Sequence, residues 1–159
     1  MVSTSIADRL HAVRQQIAAA CVAVGRDPAE VTLIAVSKHH EAAAIRAAWA
    51  AGQRAFGESY PAEFRDKRSA LCDLPIDWHF VGHAQRNKIK WVAGAAGLVH
   101  SVHDQAGIEA FAKRAQSQNL VQDVLLQVNI GEEASKRGCR PEDAPTLAAQ
   151  IASLPALRL

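Results

Sequence analysis

Strand-like and helix-like segments alternate along the whole chain, and this alternation restricts the possible folds more than any motif does. Apolar runs that suit strands begin near positions 31, 54, 77, 98, 124 and 157, and a segment with helical spacing separates each run from the next. A strand followed by a helix and then another strand is typical of a right-handed βαβ unit in a parallel sheet. The sequence therefore predicts an α/β fold.

Local patterns give the bounds of the predicted elements. Apolar residues from Ile6 to Val24 recur at spacings of three and four, which predicts a leading helix that ends at Gly25. Composition and turn signals then predict strands at Val31–Lys38, Arg54–Gly57, Trp78–Gly82, Leu98–Val102 and Val124–Ile130, with a further strand starting at Leu157. The intervening helices are predicted at Glu41–Ala51, Pro61–Leu71, Gln85–Ala93, Asp104–Gln118 and Glu142–Ser153.

One domain over residues 1–159 is expected, because the chain is 49% apolar and 21% charged and no low-complexity linker divides it. Two architectures fit the alternation. A doubly wound open sheet suits this length, whereas a (β/α)8 barrel typically needs about 250 residues. An open sheet does not usually end three residues into a strand. The end of the sequence at Leu159 therefore favours the larger barrel fold, truncated at its C-terminus.

Charge and hydropathy argue against several classes of partner. The chain has 18 Lys and Arg against 16 Asp and Glu, which favours neither a nucleic acid nor an acidic membrane. The cluster Arg86, Lys88 and Lys90 is interpreted as a solvated helix face, because no aromatic stacking platform is evident beside it. Apolar runs are shorter than the ~20 residues that span a bilayer. We therefore predict a cytoplasmic protein.

Lys38 is the outstanding candidate for a reactive residue, because it is the last residue of the first predicted strand. In both architectures, reactive groups lie at the carboxyl ends of the strands. Partial burial there would raise its neutral fraction, and a neutral amine can form an imine with an aldehyde cofactor. On its own, however, such a lysine is more often an ordinary surface residue. His79 and His83 would lie roughly 13 Å apart on a strand, too far to share a metal ion.

Five segments occur in a characteristic order: AVSK (Ala35–Lys38), FGESY (Phe56–Tyr60), WHFVGHAQRNK (Trp78–Lys88), HSVHD (His100–Asp104) and LLQVNIGEEASKRG (Leu125–Gly138). Together they resemble the pyridoxal phosphate homeostasis protein family. The resemblance implies a TIM (β/α)8 barrel of the alanine-racemase N-terminal-domain type. This chain would supply an incomplete barrel with a leading helix, five strands and the start of a sixth. Most groups that cradle the cofactor phosphate would follow Leu159.

The resemblance also implies the site. Lys38 would hold pyridoxal 5′-phosphate as a Schiff base, and Ser59, His83 and Lys136 would be further cofactor-binding residues. Ser59 replaces the asparagine that is usual in the family's FGENY motif. No metal and no catalytic residue are assigned, because no acid/base partner across the cofactor from Lys38 is evident.

The predicted function is therefore pyridoxal-phosphate binding in intracellular vitamin B6 and amino-acid homeostasis, without robust turnover. Two alternatives stay open: a racemase-like amino-acid enzyme that uses the same cofactor, and a cofactor-free, doubly wound domain that binds a small molecule. The expected partner is the small-molecule cofactor, with neither nucleic acid nor membrane. A full-length protein is expected to be monomeric, whereas a truncated one would expose sheet edges and associate.

Overall fold

The computed structural model describes residues 5–131, 133 and 136–159, and its centre is a parallel sheet of six strands. The strands are β1 (Ala35–Val36), β2 (Ala55–Glu58), β3 (Asp77–Phe80), β4 (Leu98–Val102), β5 (Gln122–Leu126) and β6 (Leu157–Arg158). The α-helices are α1 (Ile6–Ala23), α2 (Ala42–Ala50), α3 (Pro61–Ala70), α4 (Gln105–Ser117) and α5 (Ala144–Ala152). Shorter 3₁₀ helices cover Pro28–Glu30, Arg86–Trp91 and Pro141–Asp143.

The strand order distinguishes the two architectures. Each strand pairs with the next one along the chain, from β1 at one edge to β6 at the other. A doubly wound sheet reverses its strand order near the middle and places its first strand inside the sheet. The doubly wound alternative is therefore wrong, and the order is that of consecutive units in the wall of a barrel.

The core lies between the sheet and helices α2 to α5. Phe64 of α3 packs edge-on against Trp78 and Phe80 of β3, with ring centroids 5.7 and 5.8 Å apart. Other buried core residues include Ile45, Phe56, Val99, Ile108, Phe111, Val124 and Ile151. Because side chains alternate along a strand, the residues between these core positions point to the opposite side of the sheet.

We call this opposite side the open face. Gly57 lies on it, since a side chain there would contact Ile34, Val36 and Val81. Val36 of β1 and Leu125 of β5 are 48% and 43% exposed. His79 belongs to the same face, because it lies between the core residues Trp78 and Phe80. His100, which contacts His79, also lies on this face.

Three predicted elements differ from the observed ones. The first strand covers Ala35–Val36 rather than Val31–Lys38, because β1 is an edge strand whose ladder to β2 is only two pairs long. The predicted helix Gln85–Ala93 is a 3₁₀ helix over Arg86–Trp91. The predicted strand Val124–Ile130 is displaced toward the N-terminus.

The displacement of β5 has a clear cause. Gln122 is buried, and its side chain accepts a hydrogen bond from the Gly94 amide and donates one to the Ala96 carbonyl. These bonds satisfy a polar residue inside the sheet, so the strand begins there. Past Leu126 the pairing is reduced to an isolated bridge between Val128 and Cys139.

Within the described ranges, no helix combines the length and the apolar character that crossing a membrane requires.

Candidate functional site

Lys38 lies in the turn after β1, and both of its neighbours in the chain are anchored by hydrogen bonds. The Ser37 hydroxyl donates to Glu58 Oε1 over 2.6 Å, and the Ser37 carbonyl accepts from Lys67 Nζ over 2.7 Å. On the other side, the His39 amide donates to Glu63 Oε2 over 2.9 Å. The backbone is therefore fixed on both sides of Lys38.

The anchors come from one group of charges, Glu58, Glu63 and Lys67, which we call the Lys67 cluster. Lys67 Nζ lies 2.7 Å from Glu58 Oε1 and 2.8 Å from Glu63 Oε2. Glu58 is fully buried at the end of β2, and Lys67 is only 8% exposed. The hydrogen bond from Lys67, followed by that from the His39 amide, holds the pKa of Glu63 below its ordinary value. Buried charges of this kind persist only as hydrogen-bonded pairs.

The Lys67 cluster also supports an unusual backbone conformation beside Lys38. His39 has a φ of 63°, in the left-handed region that residues with a side chain seldom adopt. The bond from its amide to Glu63 and the contact of its ring with Tyr60, at 5.0 Å between centroids, hold it there. Strained residues that surrounding contacts maintain are common at functional sites.

The side chain of Lys38 itself is exposed, so the predicted partial burial is wrong. The reason is that β1 ends at Val36 and leaves Lys38 in a turn. Ser37, which precedes Lys38, is turned toward the helices, where its hydroxyl bonds to Glu58. Among the described residues, no hydrogen-bond or ion-pair partner of its amine is found.

Ser59 and His83 come together at the ends of β2 and β3. Both line a cavity of about 510 Å³, together with Tyr60, Lys88 and Trp91. Gly82 makes this approach possible, because a side chain there would overlap the Ser59 carbonyl. Burial, and next the positive charge of Arg137, lower the pKa of His83, which favours a neutral imidazole. Neither Lys38 nor Lys136 lines this cavity.

The interpretation of the basic cluster needs correction. The ammonium of Lys88 lies 4.3 Å from the centroid of the Trp91 ring, and the Arg65 guanidinium lies 4.6 Å from it. An aromatic platform thus accompanies these cations, which the sequence-based interpretation did not recognise. Arg65 comes from α3, so the grouping depends on tertiary contacts that spacing in the sequence does not show.

Lys136 lies in the loop after β5. It is exposed and its ammonium is 2.7 Å from Glu133 Oε1. Its role as a cofactor contact stays a prediction.

A set of polar residues on the open face was missed by the sequence analysis. His79 Nδ1 lies 2.9 Å from His100 Nε2, and His79 Nε2 lies 3.2 Å from Asp77 Oδ2. His79 is only 7% exposed. The alternation of Asp77 and His79 on one strand was visible in the sequence, but their approach to His100 depends on the pairing of β3 with β4.

The residues around Lys38 fit an aldehyde cofactor. Lys38 and Ser59 each come two residues after the paired positions Val36 and Gly57. The residues described therefore offer an accessible primary amine after β1, and a hydroxyl and an imidazole ring after β2 and β3. All three lie at the carboxyl ends of parallel strands, where ligands bind in folds of this kind. An amine so placed can condense with an aldehyde.

Comparison with known proteins gives matches over almost the whole chain. The family model for the alanine racemase N-terminal domain matches residues 9–159. The pyridoxal phosphate homeostasis protein of Pseudomonas aeruginosa is 45% identical over 156 residues, which cover 98% of this chain and 68% of the relative. The protein of the same name from Escherichia coli K12 is 42% identical over 97% of this chain and 67% of its own length.

Solved structures show the same fold. A protein described as unknown from Bifidobacterium adolescentis superposes with a TM-score of 0.91 at 33% identity, over 97% of this chain and 66% of the other. PipY of Synechococcus elongatus, solved with pyridoxal phosphate bound, superposes with a TM-score of 0.83 at 36% identity, over 98% of this chain and 68% of PipY. The chain thus spans about two-thirds of the length of these relatives. The predicted incomplete barrel of the alanine-racemase type is confirmed, and the chain belongs to the pyridoxal phosphate homeostasis protein family.

Proposed function

We propose that this protein binds pyridoxal 5′-phosphate as a Schiff base on Lys38 and acts in vitamin B6 and amino-acid homeostasis. The observation that carries the proposal is the exposed amine of Lys38 on a turn whose two flanking residues are anchored to the Lys67 cluster. The relatives' names and the cofactor bound to PipY support it. When bound, the cofactor supplies an aldehyde for the amine and an electron-withdrawing ring.

The roles of the other residues follow from their positions. Ser59 would offer a hydroxyl after β2, and His83 a neutral imidazole in the same cavity. Lys136 would be a further contact from the loop after β5. The Lys67 cluster acts through the backbone, since it bonds to Ser37 and His39 rather than to Lys38. We propose a carrier or regulator rather than an enzyme with robust turnover.

The cellular setting is part of the same proposal. We propose that the protein is cytoplasmic and that its partner is the small-molecule cofactor rather than a nucleic acid.

Absorbance spectroscopy tests the proposal. Adding pyridoxal 5′-phosphate to the purified protein should produce the imine absorption band, and Lys38→Ala should abolish that band. Lys113→Ala is the matched control, because Lys113 is an exposed lysine on α4, away from the strand ends. A folded wild-type protein without the band, or an undiminished band in Lys38→Ala, would contradict the proposal.

A further inference from the structure

Asp77, His79 and His100 form a continuous hydrogen-bonded chain on the open face, which the proposed function does not use. His79 is the middle member, with one ring nitrogen 3.2 Å from Asp77 Oδ2 and the other 2.9 Å from His100 Nε2. The chain crosses from β3 to β4, and its first member has a side chain that is 58% exposed.

The bonding determines where the protons lie in the neutral state. An ionised Asp77 can only accept, so His79 carries its proton on Nε2 and donates to Asp77. His79 Nδ1 then accepts, and His100 must donate from Nε2. The remaining nitrogen, Nδ1 of His100, is left with a free lone pair, and it has no hydrogen-bond partner among the described residues. That nitrogen is therefore the basic end of the chain.

Uptake of a proton at this end moves charge toward Asp77. When His100 Nδ1 binds a proton, His100 can pass its Nε2 proton along the existing hydrogen bond to His79 Nδ1, the ring that bonds to Asp77. Burial lowers the pKa of His100, so a charge is less favourable on that ring. On the neighbouring strands, the Asp123 carboxylate already accepts two hydrogen bonds from the Arg158 guanidinium, over 2.7 and 2.6 Å. His83 and His103 pack against each other, with centroids 5.3 Å apart.

The basic end and Lys38 both follow one row of paired residues in the sheet. Val36 pairs with Gly57, Gly57 with His79, and His79 with Leu98. Lys38, in the turn after β1, comes two residues after Val36, and His100 comes two residues after Leu98. Lys38 and His100 are then three strand spacings apart, roughly 14 Å along a flat sheet, and a lysine side chain with a small ring attached reaches across much of this.

We propose that Asp77, His79 and His100 form a proton relay that speeds both the attachment of an aldehyde cofactor to Lys38 and its release. This inference rests on the proposed function. In attachment a bond forms between Lys38 Nζ and the aldehyde carbon, the carbon–oxygen bond breaks, and the oxygen leaves as water. The nitrogen gives up protons and the oxygen gains them, so a group that takes one proton and returns another accelerates the exchange without net consumption.

Such a relay has a kinetic signature that a structural role does not share. Because it lowers one barrier for both directions, its loss slows attachment and release by the same factor and leaves the equilibrium constant unchanged. General acid–base catalysis typically contributes about 10²- to 10⁴-fold. Stopped-flow absorbance at the imine band measures attachment, and dilution into a competing amine measures release. We expect His100→Asn to slow both rates at least about tenfold.

Two further variants complete the experiment. Asp77→Asn changes an exposed residue, so folding is expected to survive, and it should slow both rates several-fold. His11→Asn is the control, because His11 is an exposed histidine on α1 and lies outside the relay. Unchanged rates in His100→Asn, or a change in only one direction, would overturn the relay. A wild-type protein that forms no imine would instead contradict the proposed function, and with it this role.

Nitrogen-15 NMR of the cofactor-free protein provides a second, independent readout. At neutral pH, His79 and His100 should both carry their proton on Nε2. A His100 ring that carries its proton on Nδ1 in the neutral state would also overturn the relay.

Discussion

At the residue scale, Lys38 is held in place by its neighbours in the chain rather than by contacts of its own side chain. Ser37 and His39 both bond to the Lys67 cluster, and the exposed amine is left available. The amine that we propose as the reacting group is thus separate from the groups that position it. Substitutions in the cluster should therefore affect stability and the site together.

Lys67→Met removes the only cation of the cluster. The fully buried Glu58 would keep the Ser37 hydroxyl as its partner, while its Oε2 already lacks a hydrogen bond within the described part of the chain. Breaking a buried pair in this way costs about 3 to 5 kcal/mol. Urea denaturation should show this loss of unfolding free energy, together with a weaker imine band. Lys113→Met, at an exposed site, should change little.

The lowered pKa of Glu63 predicts a pH dependence. A carboxylate whose pKa is depressed by folding stabilises the protein above its unfolded pKa, and this contribution is lost as the pH falls through the folded value. Glu63→Gln should therefore be less stable than the wild type at neutral pH. The difference should shrink below pH ~4.3, the ordinary value for Glu. Denaturation of both proteins at several pH values checks this; a difference that grows as the pH falls would contradict it.

At this scale the sequence shows which residues follow a strand. Lys38 and Ser59 stand out because each follows an apolar run, and the structure places them directly after β1 and β2. Their roles stay predictions. Glu58, Lys67 and His100 could not be assigned, because their partners lie on other elements. A charged residue inside the run Ala55–Glu58 was the available signal for Glu58.

At the element scale, the site depends on the close approach of the connections after β2 and β3. Gly82→Ala tests it, because the added methyl group would overlap the Ser59 carbonyl and push the two connections apart. Overpacking of this kind costs about 1 to 3 kcal/mol. We expect a lower melting temperature and weaker cofactor binding.

Gly25→Ala is the comparison for this change. Gly25 has a φ of 66° and open space around it, so that substitution adds backbone strain without a clash. It should destabilise the protein while leaving cofactor affinity unchanged. Equal effects of the two variants on cofactor affinity would contradict the role given to Gly82.

The order and type of most elements were predictable because apolar periodicity is a local property. The misplaced limits of β5 show where this fails. Gln122 is polar and was placed outside the strand, yet bonds to Gly94 and Ala96 on other segments make it part of the sheet. Burial of a polar residue depends on partners that only the tertiary structure supplies.

At the scale of the whole molecule, β1 and β6 are sheet edges that pair on one side only within the described chain. The open face beside them carries exposed apolar residues, including Val36 and Leu125. Unpaired edges with apolar surface favour association. We predict that the 159-residue chain self-associates as its concentration rises, which light scattering after size-exclusion chromatography measures. A monomer at all accessible concentrations would contradict this.

Reduction with borohydride followed by mass spectrometry tests the central proposal, the covalent link at Lys38, most directly. Borohydride converts an imine into a stable secondary amine, so the modified residue can be located in the digested protein. We predict a phosphopyridoxyl group on Lys38 after incubation with pyridoxal 5′-phosphate. Modification confined to other lysines, or none in a folded protein, would contradict the account.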